Sequence, residues 1–272
     1  MLLRVRCPAK VNLFLAVGPK DHRNYHPLRT IYQAIDLSDS MTIAEGSGKH
    51  EVVFNEPGIP ANNTVTKALR LLSEVISLPP LRIEIEKKIP PESGLGGGSS
   101  NAAAILRAAQ RIVGAEIPAG ELKGIAEAIG MDVPFFLLGG RAKAEGYGQI
   151  LTALPDTESE WILVARPEVG CSTPAAYRRL DELQYVWREF PESDELYNDF
   201  ERVAPCESMD LVEMLLSAGA RDAALSGSGS AVFGRFHWRG EADAAKVKLM
   251  SNGAQSAWLA RTLSRSESLG AV

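Results

Sequence analysis

Residues Leu81-Arg82-Ile83-Glu84-Ile85-Glu86 alternate apolar and charged side chains, the period of two that a half-buried strand imposes. Ahead of them Ala68, Leu69, Leu72, Val75 and Ile76 recur at helical spacing, with Asn63 or Thr64 available to cap that helix. After them a glycine-rich turn leads into Ala102 to Val113, an alanine-rich stretch of strong helix formers that Gly114 ends. A further helix is expected from Pro118 to Ile129, with Leu122, Ile125 and Ile129 on one face and Gly130 closing it. The second half reads differently. Trp161 to Ala165 is a strand, and Thr173-Pro174 opens a helix with a capping residue and a proline at its first position. Ser208 opens another helix, through Leu216. Ala223 to Leu225 and Ala231 to Phe236 are strands joined by the tight turn Gly227-Ser228-Gly229. Helix Ala242 to Met250 and strand Ala257 to Leu263 complete the run. Strand–helix–strand–strand–helix–strand predicts a small antiparallel sheet with helices on one face.

Between Leu154 and Glu160 proline and acidic residues interrupt the patterning. That break divides the chain into an N-terminal unit, 1–154, and a C-terminal unit, 155–272. The serine, glutamate and glycine content of Arg265 to Val272 predicts a fraying tail.

Composition narrows the function classes. Of 272 residues 45% are hydrophobic and 23% charged, ordinary values for a packed enzyme. The net charge of −5, from 29 basic and 34 acidic residues, argues against nucleic acid or an anionic membrane as the main partner. Small-molecule substrates are expected instead, on a monomer or homodimer. Cys7, Cys171 and Cys206 are odd in number and far apart, which points to reduced thiols rather than a disulfide framework or zinc site. The N-terminus meets Pro8 before any signal-peptide core forms, and no apolar run approaches a membrane span, so a cytoplasmic location is expected.

The candidate chemistry lies in Pro90-Pro91-Glu92-Ser93-Gly94-Leu95-Gly96-Gly97-Gly98-Ser99-Ser100-Asn101, between the charged strand and the alanine-rich helix. Glycines let backbone approach an anion closely, and the N-terminus of the following helix presents free N–H groups and a positive dipole end. The segment is a phosphate cradle made of neutral groups. It is not a P-loop, since no lysine follows the glycines; nor is it a dinucleotide fingerprint, since the third glycine position is Ser99.

With Pro90 to Ala102 as its centre, the chain resembles the GHMP kinases. Cys7-Pro8-Ala9-Lys10-Val11-Asn12-Leu13-Phe14-Leu15 is similar to that family's N-terminal motif, and Leu225 to Phe233 to its C-terminal glycine motif. Within the superfamily the Tyr25-His26 pair, the GLGGGSSNAA run, Asp132-Val133-Pro134-Phe135-Phe136 and Asn198-Asp199-Phe200-Glu201 are most similar to the 4-diphosphocytidyl-2-C-methyl-D-erythritol kinases. The chain departs from that branch in three places. Arg23-Asn24 stands where Asp-Gly is common, Asn101 where Asp is frequent and Met131 where Ala is frequent.

The resemblance implies an α+β fold, with an N-terminal ATP-binding domain and a C-terminal ferredoxin-like domain. It implies ATP-dependent phosphorylation of the 2-hydroxyl of a cytidine-diphosphate polyol in isoprenoid precursor synthesis. Asp132 would deprotonate the acceptor and Lys10 would pair with it. Pro90, Gly94, Leu95, Gly96, Gly97, Gly98, Ser99 and Ser100 would hold ATP, with Ser226, Gly227 and Gly229 closing on its phosphates. Mg²⁺ would accompany ATP, with Ser100 as a candidate ligand and the remaining ligands open. Tyr25 offers a stacking face and His26 hydrogen bonds, a pair suited to cytosine. Tyr177 is a candidate for the opposite face and Asn12 for a hydrogen bond near the reacting hydroxyl. His22, His50 and His237 show no ligand spacing. Asn198 to Glu201 reads equally as a site element or as an acidic helix start. Two alternatives stand beside this reading: another GHMP-type kinase acting on a homoserine- or mevalonate-like alcohol, and a non-catalytic nucleotide-binding protein.

Overall fold

The computed structural model describes residues 2–270. In chain order the first half contains β1 (Leu2–Val17), β2 (Leu28–Glu45), β3 (Glu51–Phe54), α1 (Thr64–Ser73), β4 (Leu81–Glu86), α2 (Gly97–Val113), α3 (Ala119–Ile129), α4 (Val133–Leu138), β5 (Arg141–Glu145) and β6 (Ile150–Ala153). The second half adds β7 (Trp161–Arg166), α5 (Thr173–Asp181), β8 (Tyr197–Asn198), a 3₁₀ turn (Asp199–Arg202), α6 (Cys206–Ser217), β9 (Asp222–Leu225), β10 (Val232–Phe236), α7 (Arg239–Ser251), β11 (Ser256–Arg261) and α8 (Arg265–Leu269).

The first sheet runs β3-β4-β2-β1-β8, and β5 with β6 attaches to the early half of β2. β1 and β2 are long enough to serve two neighbourhoods at once. β2 pairs with β5 through Thr30–Gln33 and with β4 through Ser40–Glu45. The ladder between β1 and β2 shifts register between Pro8 and Ala9 and again between Asn12 and Phe14. Such bulges re-aim side chains, and these two bracket Lys10 and Asn12. The second sheet, β11-β7-β10-β9, is antiparallel throughout and has the strand order of a ferredoxin-like unit.

Three apolar clusters hold these layers. One lies between the first sheet and α1–α4, where Ala102, Ala103, Ala104, Ala108 and Ala109 let α2 lie close to the strands. A second lies between the second sheet and α5–α7. The third joins the two sheets, with Ala9, Val11 and Leu13 of β1 facing Ile162, Val164 and Phe233. Because strand side chains alternate, Lys10 and Asn12 are turned to the opposite face.

The structure corrects several sequence expectations. The helix expected from Ala102 begins at Gly97, inside the glycine run, because Gly96 takes the N-cap position. Ser172, not Thr173, is the N-cap residue of α5, which places Pro174 one position further in. α6 starts at Cys206 rather than Ser208. The tail does not fray through Leu269. Ser264 and Glu267 form a reciprocal capping box on α8, and Ser268 Oγ accepts the Gly140 N–H at 2.8 Å. Asn63 caps α1 in the expected way, also through a capping box. β8 lies beyond residue 154 in sequence yet pairs with β1 in the first sheet. Among the described residues the three cysteines are free, and no helix is long and apolar enough to cross a membrane.

Candidate active site

The chain leaves β4 at Glu86, runs through Pro90–Gly96 and enters α2 without a side-chain cap, so the first N–H groups of that helix are left to a ligand. Gly94 and Gly96 both have positive φ, +79° and +73°. A Cβ on Gly94 would lie 2.0 Å from the Ser226 carbonyl oxygen, and one on Gly96 2.8 Å from the Phe136 ring. Only glycine fits at either place. The second glycine segment, between β9 and β10, closes on the first. Ser226 Oγ donates to Gly94 O at 3.1 Å, and Ala231 N–H to Ser93 O at 3.2 Å.

Asn198 fixes that closing turn. Its amide donates to Leu225 O and Gly227 O, both at 2.8 Å, while Glu201 accepts the Leu225 N–H at 2.9 Å. Burial pushes the Glu201 carboxyl above its ordinary range, and the Leu225 N–H offsets part of that. The segment that reads equally as an acidic helix start is therefore a brace for the turn.

A cavity of about 510 Å³ lies against the first loop, lined by Pro90, Gly94, Gly96, Gly97, Gly98 and Ser99. Phe54, Asn63 and Lys87, none of them a site candidate in the sequence, also line it. Lys87 is held by Asp39 and by Asn101 Oδ1, and the Asn101 amide donates to Asp39 at 2.9 Å. An amide at position 101 serves both partners; an aspartate there would have no N–H for Asp39. Leu95 is buried, its carbonyl accepting the Lys10 N–H at 3.0 Å. Ser100 is also buried, and its hydroxyl has no hydrogen-bond partner among the described residues. Gly227 lies in the closing turn, but its N–H is taken by Asn12 Oδ1 at 3.0 Å, and Gly229 N–H by Ser226 O.

Lys10 and Asp132 meet beside this loop. Lys10 Nζ is 3.6 Å from Asp132 Oδ2 and donates to Asn12 Oδ1 at 2.6 Å. Lys10 is 3% exposed, whereas the Asp132 side chain is 34% exposed and open to a substrate. Burial lowers the Lys10 pKa from its ordinary value, and the charge of Asp132 works against that shift. Asn12 is oriented by a chain of bonds: its amide donates to Thr30 Oγ1 at 2.8 Å, and that hydroxyl donates to Phe14 O at 2.6 Å. Asp132 occupies the N-cap of α4 without bonding to that helix through its side chain, so its carboxylate stays free of the usual capping duty. Its Oδ1 instead accepts the Tyr32 O–H at 2.9 Å. Nothing in the sequence singles out Tyr32, although it stands opposite Asn12 in the β1–β2 ladder.

Tyr25 and His26 are adjacent in sequence but part company. His26 is buried, stacked on Tyr177 with ring centroids 4.9 Å apart at 23°. Its Nδ1 lies 2.8 Å from Gly18 O, and its buried Nε2 lies 3.4 Å from Asp181 Oδ1. Tyr25 is 63% exposed and leans on Tyr147, 5.6 Å between centroids. The loop is tied by Asp21 Oδ1, which accepts the N–H groups of Arg23 and Tyr25, while Asn24 sits at φ +64°. Asparagine tolerates this left-handed conformation better than most residues, so Asn24 does the backbone work of the glycine common in similar chains. Burial and then the charge of Asp132 raise the Tyr177 pKa, so the ring stacked on His26 also lies within electrostatic reach of Asp132. His50 Nδ1 accepts the Leu81 N–H at 3.2 Å, a structural role. No group of three metal-ligating His, Cys, Asp or Glu side chains occurs among the described residues.

The GHMP kinases N terminal domain matches residues 63–140, and the GHMP kinases C terminal domain matches residues 190–255. The chain is 38% identical over 259 residues to a 4-diphosphocytidyl-2-C-methyl-D-erythritol kinase of Geobacter sulfurreducens (strain ATCC 51573 / DSM 12127 / PCA), covering 89% of this chain and 92% of that one. A crystal structure of 4-(cytidine 5'-diphospho)-2C-methyl-D-erythritol kinase superposes with a TM-score of 0.82 at 30% identity, over 96% of this chain and 99% of the other. Homoserine kinase from Cytophaga hutchinsonii ATCC 33406 shares the fold at a TM-score of 0.71 and 17% identity, over 100% and 97% of the two chains. With that identity and coverage joined to the paired glycine loops, this chain belongs to the 4-diphosphocytidyl-2-C-methyl-D-erythritol kinase family of the GHMP kinases.

Proposed function

We propose that this kinase transfers the γ-phosphoryl of ATP to the 2-hydroxyl of 4-diphosphocytidyl-2-C-methyl-D-erythritol, in the cytoplasm, with Asp132 as general base. The observation that carries the mechanism is the Lys10–Asp132 pair beside the glycine loop, with Lys10 anchored to Leu95 by its own backbone N–H. Phosphoryl transfer asks for positioning and charge neutralisation around a loose transition state. Asp132 takes the acceptor's proton, a contribution of roughly 10²–10⁴ in rate. Lys10 lies where it stabilises the developing alkoxide, and Asn12 holds the Lys10 ammonium in place while linking it to the closing turn.

The phosphates are assigned to the N–H groups at the start of α2, with Pro90, Gly94, Gly96, Gly97, Gly98 and Ser99 as the wall. Leu95 serves through its carbonyl, which anchors Lys10, and Ser226, Gly227 and Gly229 hold the closing turn. The unpartnered, buried Ser100 hydroxyl fits a Mg²⁺ ligand, with phosphate oxygens as the other donors. When bound, Mg²⁺ would supply charge neutralisation at the β- and γ-phosphates.

The cytosine is assigned to the His26 side of the site. Nδ1 donates to Gly18 O and Nε2 lies 3.4 Å from Asp181 Oδ1, so protein groups on both sides orient the ring that the base is assigned to meet. Tyr177 and Tyr25 supply apolar faces to the same subsite.

The test is an ATP-consumption assay with Mg²⁺, offering the cytidylated methylerythritol, homoserine and mevalonate, with Asp132→Asn as control. Turnover of the cytidylated compound alone is expected, falling at least roughly 10²-fold in the control. Turnover of homoserine or mevalonate would remove the cytosine assignment. ATP binding without turnover of any acceptor would leave only a nucleotide-binding protein.

A further inference from the structure

Tyr32 meets Asp132 with a buried hydroxyl. Its O–H donates to Asp132 Oδ1 at 2.9 Å, while the other carboxylate oxygen, Oδ2, is the one 3.6 Å from Lys10 Nζ. We propose that Tyr32 is a positioning residue of this kinase: by occupying Oδ1 it fixes the Asp132 carboxylate and leaves Oδ2, beside Lys10, to accept the acceptor's hydroxyl proton. This rests on Asp132 being the base.

The ring has little freedom to do anything else. Tyr32 is 2% exposed, its ring packs on Phe135 with centroids 4.8 Å apart, and the Lys10 ammonium lies 5.4 Å from its centroid. The turn between β5 and β6 leaves room for the hydroxyl: a Cβ on Gly148 would lie 3.0 Å from it. No capping bond from Asp132 to α4 competes for the carboxylate. A charge-assisted O–H···O⁻ bond of this kind is roughly twice as strong as a neutral one and sets direction as well as energy.

The titratable groups that face Asp132 are Lys10 from β1, Tyr32 from β2 and Tyr177 from α5. Burial and the Asp132 charge hold the Tyr32 phenol well above its ordinary pKa, so it remains a donor across the working pH range. In the step itself the acceptor O–H bond breaks and its proton passes to Oδ2. The freed oxygen pair attacks the γ-phosphorus, and the bond from that phosphorus to the β–γ bridging oxygen breaks, its electrons leaving on ADP. Tyr32 keeps its own proton throughout. Without it the carboxylate can rotate, and either oxygen, in a spread of directions, meets the acceptor.

Tyr32→Phe removes the hydroxyl and keeps the ring on Phe135. Steady-state kinetics across pH, using ATP, Mg²⁺ and whichever alcohol the wild type turns over, should show kcat lowered roughly ten- to hundredfold. KM for both substrates should stay within about twofold, since the lost bond acts in the chemical step. The acid limb of the kcat–pH profile should move to higher pH, because a lost donor makes a carboxylate easier to protonate. In the Asp132→Asn background the same change should cost no further activity. An unchanged kcat overturns the proposal. So does a loss that tracks a lower Tm with the acid limb in place, or one that persists in full in the Asp132→Asn background. Failure of the underlying reading looks different: wild type then turns over no alcohol, or Asp132→Asn retains full activity.

Discussion

The two ends of the site are built from different materials. At the end assigned to the phosphates the contacts are made on backbone: Ala231 N–H on Ser93 O, the Ser226 hydroxyl on Gly94 O, and the Gly94 backbone packed against that of Ser226, with side chains serving mainly as braces. At the end assigned to the acceptor the contacts run between side chains: His26 on Tyr177, Tyr25 on Tyr147, Lys10 and Tyr32 on Asp132. A backbone-built surface offers the same groups to every triphosphate, and it tolerates no Cβ where the two chain segments touch. A side-chain-built surface is the part that can be re-cut for a different alcohol without moving the phosphate loop.

The most severe perturbation puts a methyl group where the loops meet. Gly94→Ala places a Cβ 2.0 Å from Ser226 O and 2.9 Å from Ser226 C at φ +79°, and both obstacles are backbone. The closing turn must then shift, and Asn12, which accepts from Gly227, shifts with it. A stability loss of about 3 kcal/mol or more is expected, with a raised KM for ATP in whatever fraction folds. Thermal melts and ATP titrations check this; a variant with wild-type Tm and ATP affinity would show that the loops do not need their contact.

At the other end a deep change should be silent toward ATP. His26→Ala removes a buried ring that stacks on Tyr177 and is assigned to the base. The acceptor KM should rise roughly ten- to hundredfold while the KM for ATP stays put. Equal loss for both substrates would mean that the two ends do not act separately.

The same contrast explains what is legible in the sequence. Backbone-built sites need glycine at fixed places, so Gly94, Gly96 and the run through Gly229 stand out from the residue order alone. Strand and helix periods likewise mark the two-sheet architecture, since burial on one face writes itself into Leu81 to Glu86 or Leu122 to Ile129. What stays hidden depends on convergence from distant segments. Tyr32 looks like any aromatic on a strand until register places it opposite Asn12, and Asn198 looks like a helix start until the turn at Gly227 folds against it. Lys87, just past the charged strand, is unmarked by any motif until Asp39 and Asn101 hold it beside the cavity. The order of the tail through Leu269 is obscured for the opposite reason. Ser264 and Glu267 are a legible capping pair, but the polar composition around them points the other way.

The mildest test concerns the loop that carries both Tyr25 and His26. Asn24 at φ +64° lets Asp21 gather the N–H groups of Arg23 and Tyr25, and that turn sends Tyr25 outward and His26 inward. An ordinary L-residue in this conformation costs about 1–2 kcal/mol, glycine almost nothing. Asn24→Ala should therefore raise the acceptor KM by roughly fivefold at most and leave ATP kinetics alone, while Asn24→Gly stays close to wild type. Both are read from acceptor titrations at saturating ATP. If alanine behaves like glycine there, the turn's conformation does not set the His26 position. The acceptor end would then be held from the Tyr177 side alone, by α5 rather than by the loop.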